Sequence, residues 1–186
     1  MVIISQGAEA ILSLNKEIVT KNRIKKSYRL PILDRKLRKQ RTKKEARLLN
    51  KASTIIPVPK IIKSDLDSNT LELEFIPGLV LSESLDSLKN AKAICKQIGI
   101  SLAKLHDNNI IHGDLTTSNM ILNKKDNKIY FIDFGLGFES NKVEDKAVDL
   151  HLIKHALEAK HHKHADSYFS SLITGYKTSI KHKETL

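Results

Sequence analysis

The sequence predicts an α+β chain of two unequal lobes, mainly β first and mainly α second. Three observations carry that prediction. Short β-favouring runs surround one strongly basic helix in the first 76 residues. Pro77-Gly78 then interrupts the pattern, and a long amphipathic helix and an apolar hairpin follow the break. At 186 residues, with 40% hydrophobic and 28% charged side chains, the chain has room for two small lobes sharing an interface and is too apolar to be disordered.

Val2-Ile3-Ile4, Ile11-Leu12 and Ile18-Val19 read as short strands, with Gly7-Ala8-Glu9-Ala10 as the turn between the first two. Leu33, Leu37, Arg41, Glu45, Leu48 or Leu49, and Ala52 recur at i, i+3 or i+4, which predicts a helix from Asp34 to Ala52 with that line turned inward. Thr70 to Phe75 alternates as a strand does. Leu88, Ala91, Ile94 with Cys95, Ile98, Leu102 and Leu105 give the clearest helical period in the chain. Met120-Ile121-Leu122 and Ile129-Tyr130-Phe131-Ile132 flank a polar Asn123–Asn127 turn and predict a hairpin. From Asp145 onward the pattern is helical and rich in histidine. The lobes are therefore expected at residues 1–76 and 77–186.

A single cysteine, Cys95, excludes a disulfide framework and multi-cysteine zinc sites, and it sits on the apolar helix face as a core residue. No apolar run reaches the ~20 residues of a membrane span. The first residues carry neither a basic flank nor a long apolar stretch, so the expectation is a soluble, cytoplasmic protein with no membrane association. The net charge is 32 − 21 = +11. Between Lys21 and Lys51, 14 basic residues stand against two acids, Asp34 and Glu45, so this segment alone carries +12 and the rest sums to −1. Such a concentration suits a polyanion such as ATP phosphates, RNA or an acidic partner; a solvated helix face is the plainer reading.

Two acidic motifs frame the hairpin: His112-Gly113-Asp114-Leu115-Thr116-Thr117-Ser118-Asn119 before it, and Asp133-Phe134-Gly135 after it. A hairpin holds its two ends together, so Asp114, Asn119 and Asp133 are expected to converge. Two carboxylates and an amide oxygen are hard ligands suited to Mg²⁺ that also binds phosphate. The first lobe must then supply a phosphate-binding lysine, and Lys21, directly after Ile18-Val19-Thr20, is the candidate. Glu45, on the inward line of the basic helix, needs a cation. Lys21 is the economical partner and Arg41, one turn earlier, the alternative. Gln6, Gly7, Ala8, Glu9 and Ala10 are placed over the phosphates. Leu73, Glu74 and Ile76 are placed beside adenine, with Leu73 as back wall and Glu74 and Ile76 offering backbone groups.

Together the two motifs resemble the H-R-D-x-x-x-x-N and D-F-G pair of protein kinases. Over nearly its whole length the sequence resembles a narrower family, the small atypical kinases of the KEOPS (EKC) complex. Gln6–Ala10 is similar to that family's nucleotide loop. Lys21-Asn22-Arg23 with Lys26-Ser27-Tyr28-Arg29-Leu30-Pro31-Ile32-Leu33-Asp34 resembles its K-x-R-x-x-K-x-Y-R-x-P-x-L-D stretch. Arg41-Thr42-Lys43-Lys44-Glu45-Ala46 resembles its R-T-x-x-E-A helix, and Glu144-Asp145-Lys146-Ala147-Val148-Asp149-Leu150 completes the set.

The resemblance implies a minimal two-lobed protein-kinase-like fold that binds ATP and Mg²⁺. It also implies Ser/Thr autophosphorylation and ATP hydrolysis by a chain bound to the complex's metallo-subunit and other KEOPS subunits, supporting threonylcarbamoyl modification of adenosine in tRNA. Lys21 would then hold the α/β-phosphates and Glu45 would orient it. Asp114 would act as base or water-positioner, Asn119 and Asp133 would bind metal, and His112 and Asp149 would support the catalytic loop. Relatives commonly end in an R-G-R-type tail where this chain runs Lys177 to Leu186. The basic segment with Arg35, Lys36, Arg38, Lys39, Lys43 and Lys44 is therefore the candidate surface for tRNA or a partner.

Three departures from ordinary kinases set further expectations. Gly113 replaces the arginine of H-R-D, only eight residues separate Gly135 from Glu144, and Thr116 stands where serine/threonine kinases usually carry a lysine. A slow, partner-dependent ATPase or autokinase without a phospho-switched loop follows. The alternatives are a nucleotide-binding regulatory scaffold that needs no turnover, and a small-molecule or RIO-type kinase, which share H-G-D-x-x-x-x-N. His151, His155, His161, His162 and His164 offer no fixed three-ligand constellation, so they are expected to be structural or solvated.

Overall fold

The computed structural model describes residues 2–7 and 9–186, so Ala8 of the expected nucleotide loop lies outside the described residues. The first lobe is an antiparallel sheet of five strands in the order β1-β2-β3-β5-β4, covered by one helix. Its elements are β1 (Val2–Gln6), β2 (Ala10–Asn15), β3 (Ile18–Arg23), helix α1 (Pro31–Ala52), β4 (Ile61–Asp65) and β5 (Thr70–Glu74). β3 runs past the apolar Ile18-Val19 pair, so that Lys21 sits mid-strand between Leu12 of β2 and Leu71 of β5. β4, an edge strand, is mostly exposed and ends in Lys63-Ser64-Asp65, which is why it carries no apolar alternation.

α1 begins at Pro31 rather than Asp34, because proline at the first helical position needs no amide partner and its fixed φ suits the turn. The expected inward line also shifts in the first half of the helix. Asp34, Thr42, Glu45, Leu48, Leu49 and Ala52 are buried, while Leu33 is 49% exposed and Leu37 is only partly covered. Ion pairing explains the shift: the inward Asp34 carboxylate accepts from Arg38 Nε at 2.7 Å and from the Lys26 amide at 3.2 Å. Only from Glu45 onward does the helix reach the apolar core.

The second lobe opens with β6 (Gly78–Val80), which pairs with β8 (Met120–Asn123) and through it with β9 (Ile129–Phe131). Between β6 and β8 lie α2 (Leu81–Ser84), a 3-10 turn (Leu85–Ser87), α3 (Ala91–Asp107), β7 (Ile110–Ile111) and a second 3-10 turn (Thr117–Asn119). β10 (Phe138–Glu139) pairs with β7, and α4 (Val143–Lys160), α5 (Ala165–Tyr176) and α6 (His182–Thr185) follow. α3 starts three residues after Leu88, whose amide closes the preceding turn on Leu85 O. The hairpin β8–β9 forms as the sequence predicts. No helix among the described residues is long and apolar enough to cross a membrane.

One apolar cluster joins the lobes, running from Leu48, Leu49, Ala52 and Leu71 to Ile98, Leu102, Phe131, Phe134 and Ile153. Its tightest seam is the α3–α5 crossing. A Cβ on Gly99 would lie 1.9 Å from Leu172 O, and one on Gly175 would lie 2.0 Å from Lys96 O, so each glycine lets the other helix's backbone approach. Backbone cannot yield as a side chain does. Gly99→Ala or Gly175→Ala is expected to lower stability by about 1–3 kcal/mol, a fall in Tm of about 3–10 °C. A thermal melt of either variant superimposing on that of the parent would contradict this account of the seam.

Candidate active site

Lys21 and Arg23 are two apart on β3, so both side chains leave the same face of the sheet, the face on which α1 carries Glu45. Lys21 Nζ donates to Glu45 Oε1 at 2.7 Å and to Asp133 Oδ1 at 2.7 Å, so one ammonium joins strand, helix and second lobe. Arg23 Nη2 takes the other Glu45 oxygen, Oε2. Side-chain exposure is 7% for Lys21, 5% for Arg23 and 1% for Glu45. A lone carboxylate so buried would be costly, and two donors satisfy both its oxygens. Arg41 instead reaches forward to Glu9 Oε2 at 2.5 Å, so the alternative pairing of Arg41 with Glu45 gives way to Arg23. Sequence reasoning assigned Arg23 no role. The available signal was a second cation at i+2 on a strand facing a buried glutamate.

Asp133 sits at φ 61°, and its Oδ1 also accepts from the Gly135 amide at 3.1 Å. Burial pushes its carboxyl up, but the Lys21 charge and hydrogen bond, with the Gly135 amide, outweigh that and hold it below the ordinary carboxylate value. Asp114 and Asn119 lie across from it: Asn119 Nδ2 donates to Asp114 O at 2.8 Å and to Asp114 Oδ2 at 2.9 Å. Asn119 Oδ1 and Asp133 Oδ2 take no hydrogen bond from the described residues. That oxygen set suits a hard divalent cation such as Mg²⁺.

The loop carrying Asp114 is braced from behind. Asp149 on α4 accepts from the His112 amide at 2.6 Å and the Gly113 amide at 2.8 Å, while His106 Nε2 stands 3.2 Å from its Oδ2. His112 is fully buried, and that burial holds its pKa down against the pull of Asp149. Its Nε2 lies 3.1 Å from Ile132 O, so the neutral ring donates there. Gly113 adopts φ +76°, and a Cβ there would lie 2.7 Å from Leu136 O. The arginine of H-R-D is thus excluded sterically, not merely absent.

A cleft of about 300 Å³ between the lobes is lined by Gly7, Glu9, Ala10, Lys21, Arg23, Asp114 and Asp133, with the more exposed Arg41 and Leu136 at its rim. Gln6 is exposed on β1, opposite Ile11. Leu73, Glu74 and Ile76 do not border this cleft. Glu74 instead faces β4, its amide donating to Lys60 O at 2.9 Å and its Oε2 accepting from Lys60 N at 3.2 Å. Ile76 is buried.

On the basic helix, Arg38 is spent on Asp34, Lys39 on Asp67 at 3.1 Å, and Lys44 lies over the Phe138 ring. Arg35, Lys36 and Lys43 are exposed, and their side chains take no hydrogen bond or ion pair among the described residues. His151 and His155 pair with each other on the outer face of α4, Nε2 to Nε2 at 2.8 Å. No group of three or more histidine, cysteine or acidic side chains among the described residues could hold a metal.

A lysine–glutamate pair under a strand sheet, an aspartate and asparagine on a braced loop, and a second aspartate after a hairpin define a protein-kinase-like class of the RIO type. The sequence pattern of the RIO domain family matches residues 13–150, and the Rio2 kinase–ADP/Mg²⁺–phosphoaspartate complex from Chaetomium thermophilum superimposes with a TM-score of 0.67. That alignment is 16% identical and covers 100% of this chain and 69% of that one, so it speaks for the fold. Within the class, the chain belongs to the Bud32 family. It is 41% identical to the KEOPS complex subunit Bud32 of Pyrococcus abyssi, over 95% of this chain and 85% of that one. It is also 40% identical, over 99% of this chain and 34% of that protein, to a probable bifunctional tRNA threonylcarbamoyladenosine biosynthesis protein of Methanobrevibacter smithii.

Arg23→Ala leaves Glu45 with one partner and is expected to cost about 1.5–3 kcal/mol, the range for a hydrogen bond to a charged group. Denaturant unfolding of the variant checks this, and an unchanged midpoint would show that Lys21 alone suffices.

Proposed function

We propose that this chain is the ATP- and Mg²⁺-dependent kinase subunit of a KEOPS assembly, an autokinase and ATPase of the Ser/Thr type that supports threonylcarbamoyladenosine modification of tRNA. The observation that carries the reading is the single ammonium of Lys21 held at 2.7 Å from both Glu45 and Asp133, beside Asp114 in one cleft. In this reading residues 1–76 form the nucleotide lobe and residues 77–186 the catalytic lobe. The names of the relatives support the assembly and the tRNA pathway, and the metallo-subunit of that assembly is the proposed partner.

Each residue acts through its own chemistry. Lys21 binds α/β-phosphate oxygens as a fixed positive charge while Glu45 keeps it aimed into the cleft. Gln6, Gly7, Glu9 and Ala10 cover the phosphates, with Glu9 tied to Arg41, and adenine extends beyond the cleft toward the Leu73–Ile76 segment. Asp114, oriented by Asn119 Nδ2, accepts the proton of a water or serine/threonine hydroxyl as it attacks. Asn119 and Asp133 would hold Mg²⁺, which neutralises phosphate charge. Thr116 leaves the transferred group without a lysine, which makes turnover slow. The exposed Arg35, Lys36 and Lys43 are the proposed tRNA contacts, and a soluble cytoplasmic setting fits this role.

ADP release from ATP in the presence of Mg²⁺ tests the enzymatic reading. Asp114→Asn is expected to keep the fold and lower release by about 10²–10⁴-fold, the usual contribution of a general base; equal rates in parent and variant would end the reading. For tRNA, replacing Arg35, Lys36 and Lys43 together by alanine is expected to shallow the slope of log K against log salt by about 2–3, given about 0.7–0.9 per phosphate contact. A slope unmoved by the triple change would take this surface out of the account.

A further inference from the structure

His161 is 2% exposed and has no part in the site as described above. It ends α4, where its amide donates to Leu157 O at 2.8 Å and its carbonyl accepts from the His164 amide at 2.9 Å. Its ring reaches back into the catalytic lobe in two directions. Nδ1 stands 2.9 Å from Asp86 Oδ1, in the 3-10 turn after α2, and Nε2 stands 3.3 Å from Thr117 Oγ1. The edge of the Tyr168 ring from α5 closes the third side, with ring centroids 6.1 Å apart.

We propose that His161 is a positioning residue of the catalytic loop, acting through the hydroxyl of Thr117. The inference rests on the enzymatic reading of the Asp114 site. The 2.9 Å contact assigns Nδ1–H to the Asp86 carboxylate, which accepts it. Nε2 is then a bare acceptor, and the Thr117 hydroxyl donates to it. Thr117 is fully buried, and this is the one hydrogen bond its side chain makes among the described residues. Without the imidazole that hydroxyl would be left unsatisfied in the interior, and the loop would move to find a partner.

The consequence reaches the reacting groups within two residues. Thr117 opens the 3-10 turn that ends at Asn119, and Asn119 Nδ2 fixes both the carbonyl and the carboxylate of Asp114. Asp149 braces the same loop at His112 and Gly113, ahead of Asp114. The loop thus has two supports, one on each side of Asp114: Asp149 from α4 and His161 from the cap that ends it. Lys21, Glu45 and the nucleotide loop lie on the other lobe, so His161 acts on Asp114 and on Asn119, the proton acceptor and one proposed Mg²⁺ ligand, and not on the lysine side of the cleft.

The test is steady-state ADP release by the full chain with Mg²⁺-ATP. His161→Ala is expected to lower kcat by about tenfold, the factor one neutral hydrogen bond supports. His161→Gln, whose amide can still accept from the hydroxyl, should recover most of the loss. Thr117→Val should reproduce the loss, Thr117→Ser should not, and His161→Ala with Thr117→Val should lose no more than either alone. A merely space-filling histidine predicts instead that Gln fails to rescue and that the two losses add, and either result overturns the proposal. Should His161→Ala not fold, Thr117→Val and His161→Gln decide the matter by the same criteria. If the parent chain itself releases no ADP, the enzymatic reading falls, and amide hydrogen exchange over residues 114–119 decides the positioning claim. Exchange quickened by His161→Ala or Thr117→Val and restored by His161→Gln or Thr117→Ser upholds it, and unchanged exchange sinks it.

Discussion

Glu45 lies almost wholly out of water on a helix whose only other acid is Asp34, and its two oxygens are shared between two cations from one strand. That carboxylate decides where α1 sits on the sheet, which way Lys21 points, and how the lobes meet through Asp133. Counted as charges, Lys21 and Arg23 balance Glu45 and Asp133, so the cluster is neutral as it stands. The four members are not equally committed. Glu45 is 1% exposed and cannot leave, whereas 44% of the Asp133 side chain is open to solvent. Asp133 is therefore the member most able to exchange Lys21 for a ligand. Arg23 makes that exchange tolerable, because Glu45 remains compensated even while Lys21 leans toward a ligand.

The far half of α1 is fastened as well, though more weakly. Arg47 and Lys51 reach Glu139, which lies on the strand paired with β7. Exposed pairs of this kind contribute about 0–1 kcal/mol each, so they trim the helix position and leave Glu45 to set it. The same strand carries the chain past Gly113, where Leu136 O occupies the space a side chain would need. Packing thereby accounts for a sequence departure that would otherwise look like simple loss. An arginine cannot stand at position 113 while the segment after Asp133-Phe134-Gly135 runs this close, and a loop without that arginine has nothing with which to read a phosphorylated segment. Its order has to come from fixed supports, which Asp149 supplies through two successive amides.

The parts of this architecture legible in the sequence are those fixed by local pattern. The β8–β9 hairpin, the period of α3 and the convergence of Asp114 and Asn119 follow from spacing within some twenty residues. The Lys21–Glu45 pair was legible for a different reason: a buried carboxylate on a basic helix must find a cation. What sequence reasoning passed over was the second cation: Arg23 stands at i+2 from Lys21, so the pleat of β3 puts both on the face toward Glu45, while Arg41 turns to Glu9. The register of the first half of α1 is a different case. Leu33 and Leu37 satisfy the helical period, yet an ion pair between Asp34 and Arg38 claims the inward positions and leaves Leu33 in solvent. β4 was missed because an edge strand without an apolar face has no pattern to read. His161 stood in a run of histidines with identical composition, and only the fold separates the buried one from its solvated neighbours.

The economy of the second lobe also bears on what can reach Asp114. Only eight residues link Gly135 to Glu144, and two of them are already spent pairing with β7. Nothing in so short a segment builds a ledge for an extended peptide, while Leu136, 54% exposed, stands at the rim of the cleft. Under the proposed reading, this openness favours water over a peptide as the group that meets Asp114. A macromolecular acceptor would need a second protein to hold it there. The two weak points of the proposed chemistry, no lysine at Thr116 and no docking platform, thus have one remedy in common. Under the proposed function, a partner seated over this rim would exclude water and supply the missing positive charge together, which makes dependence on the assembly the counterpart of both gaps.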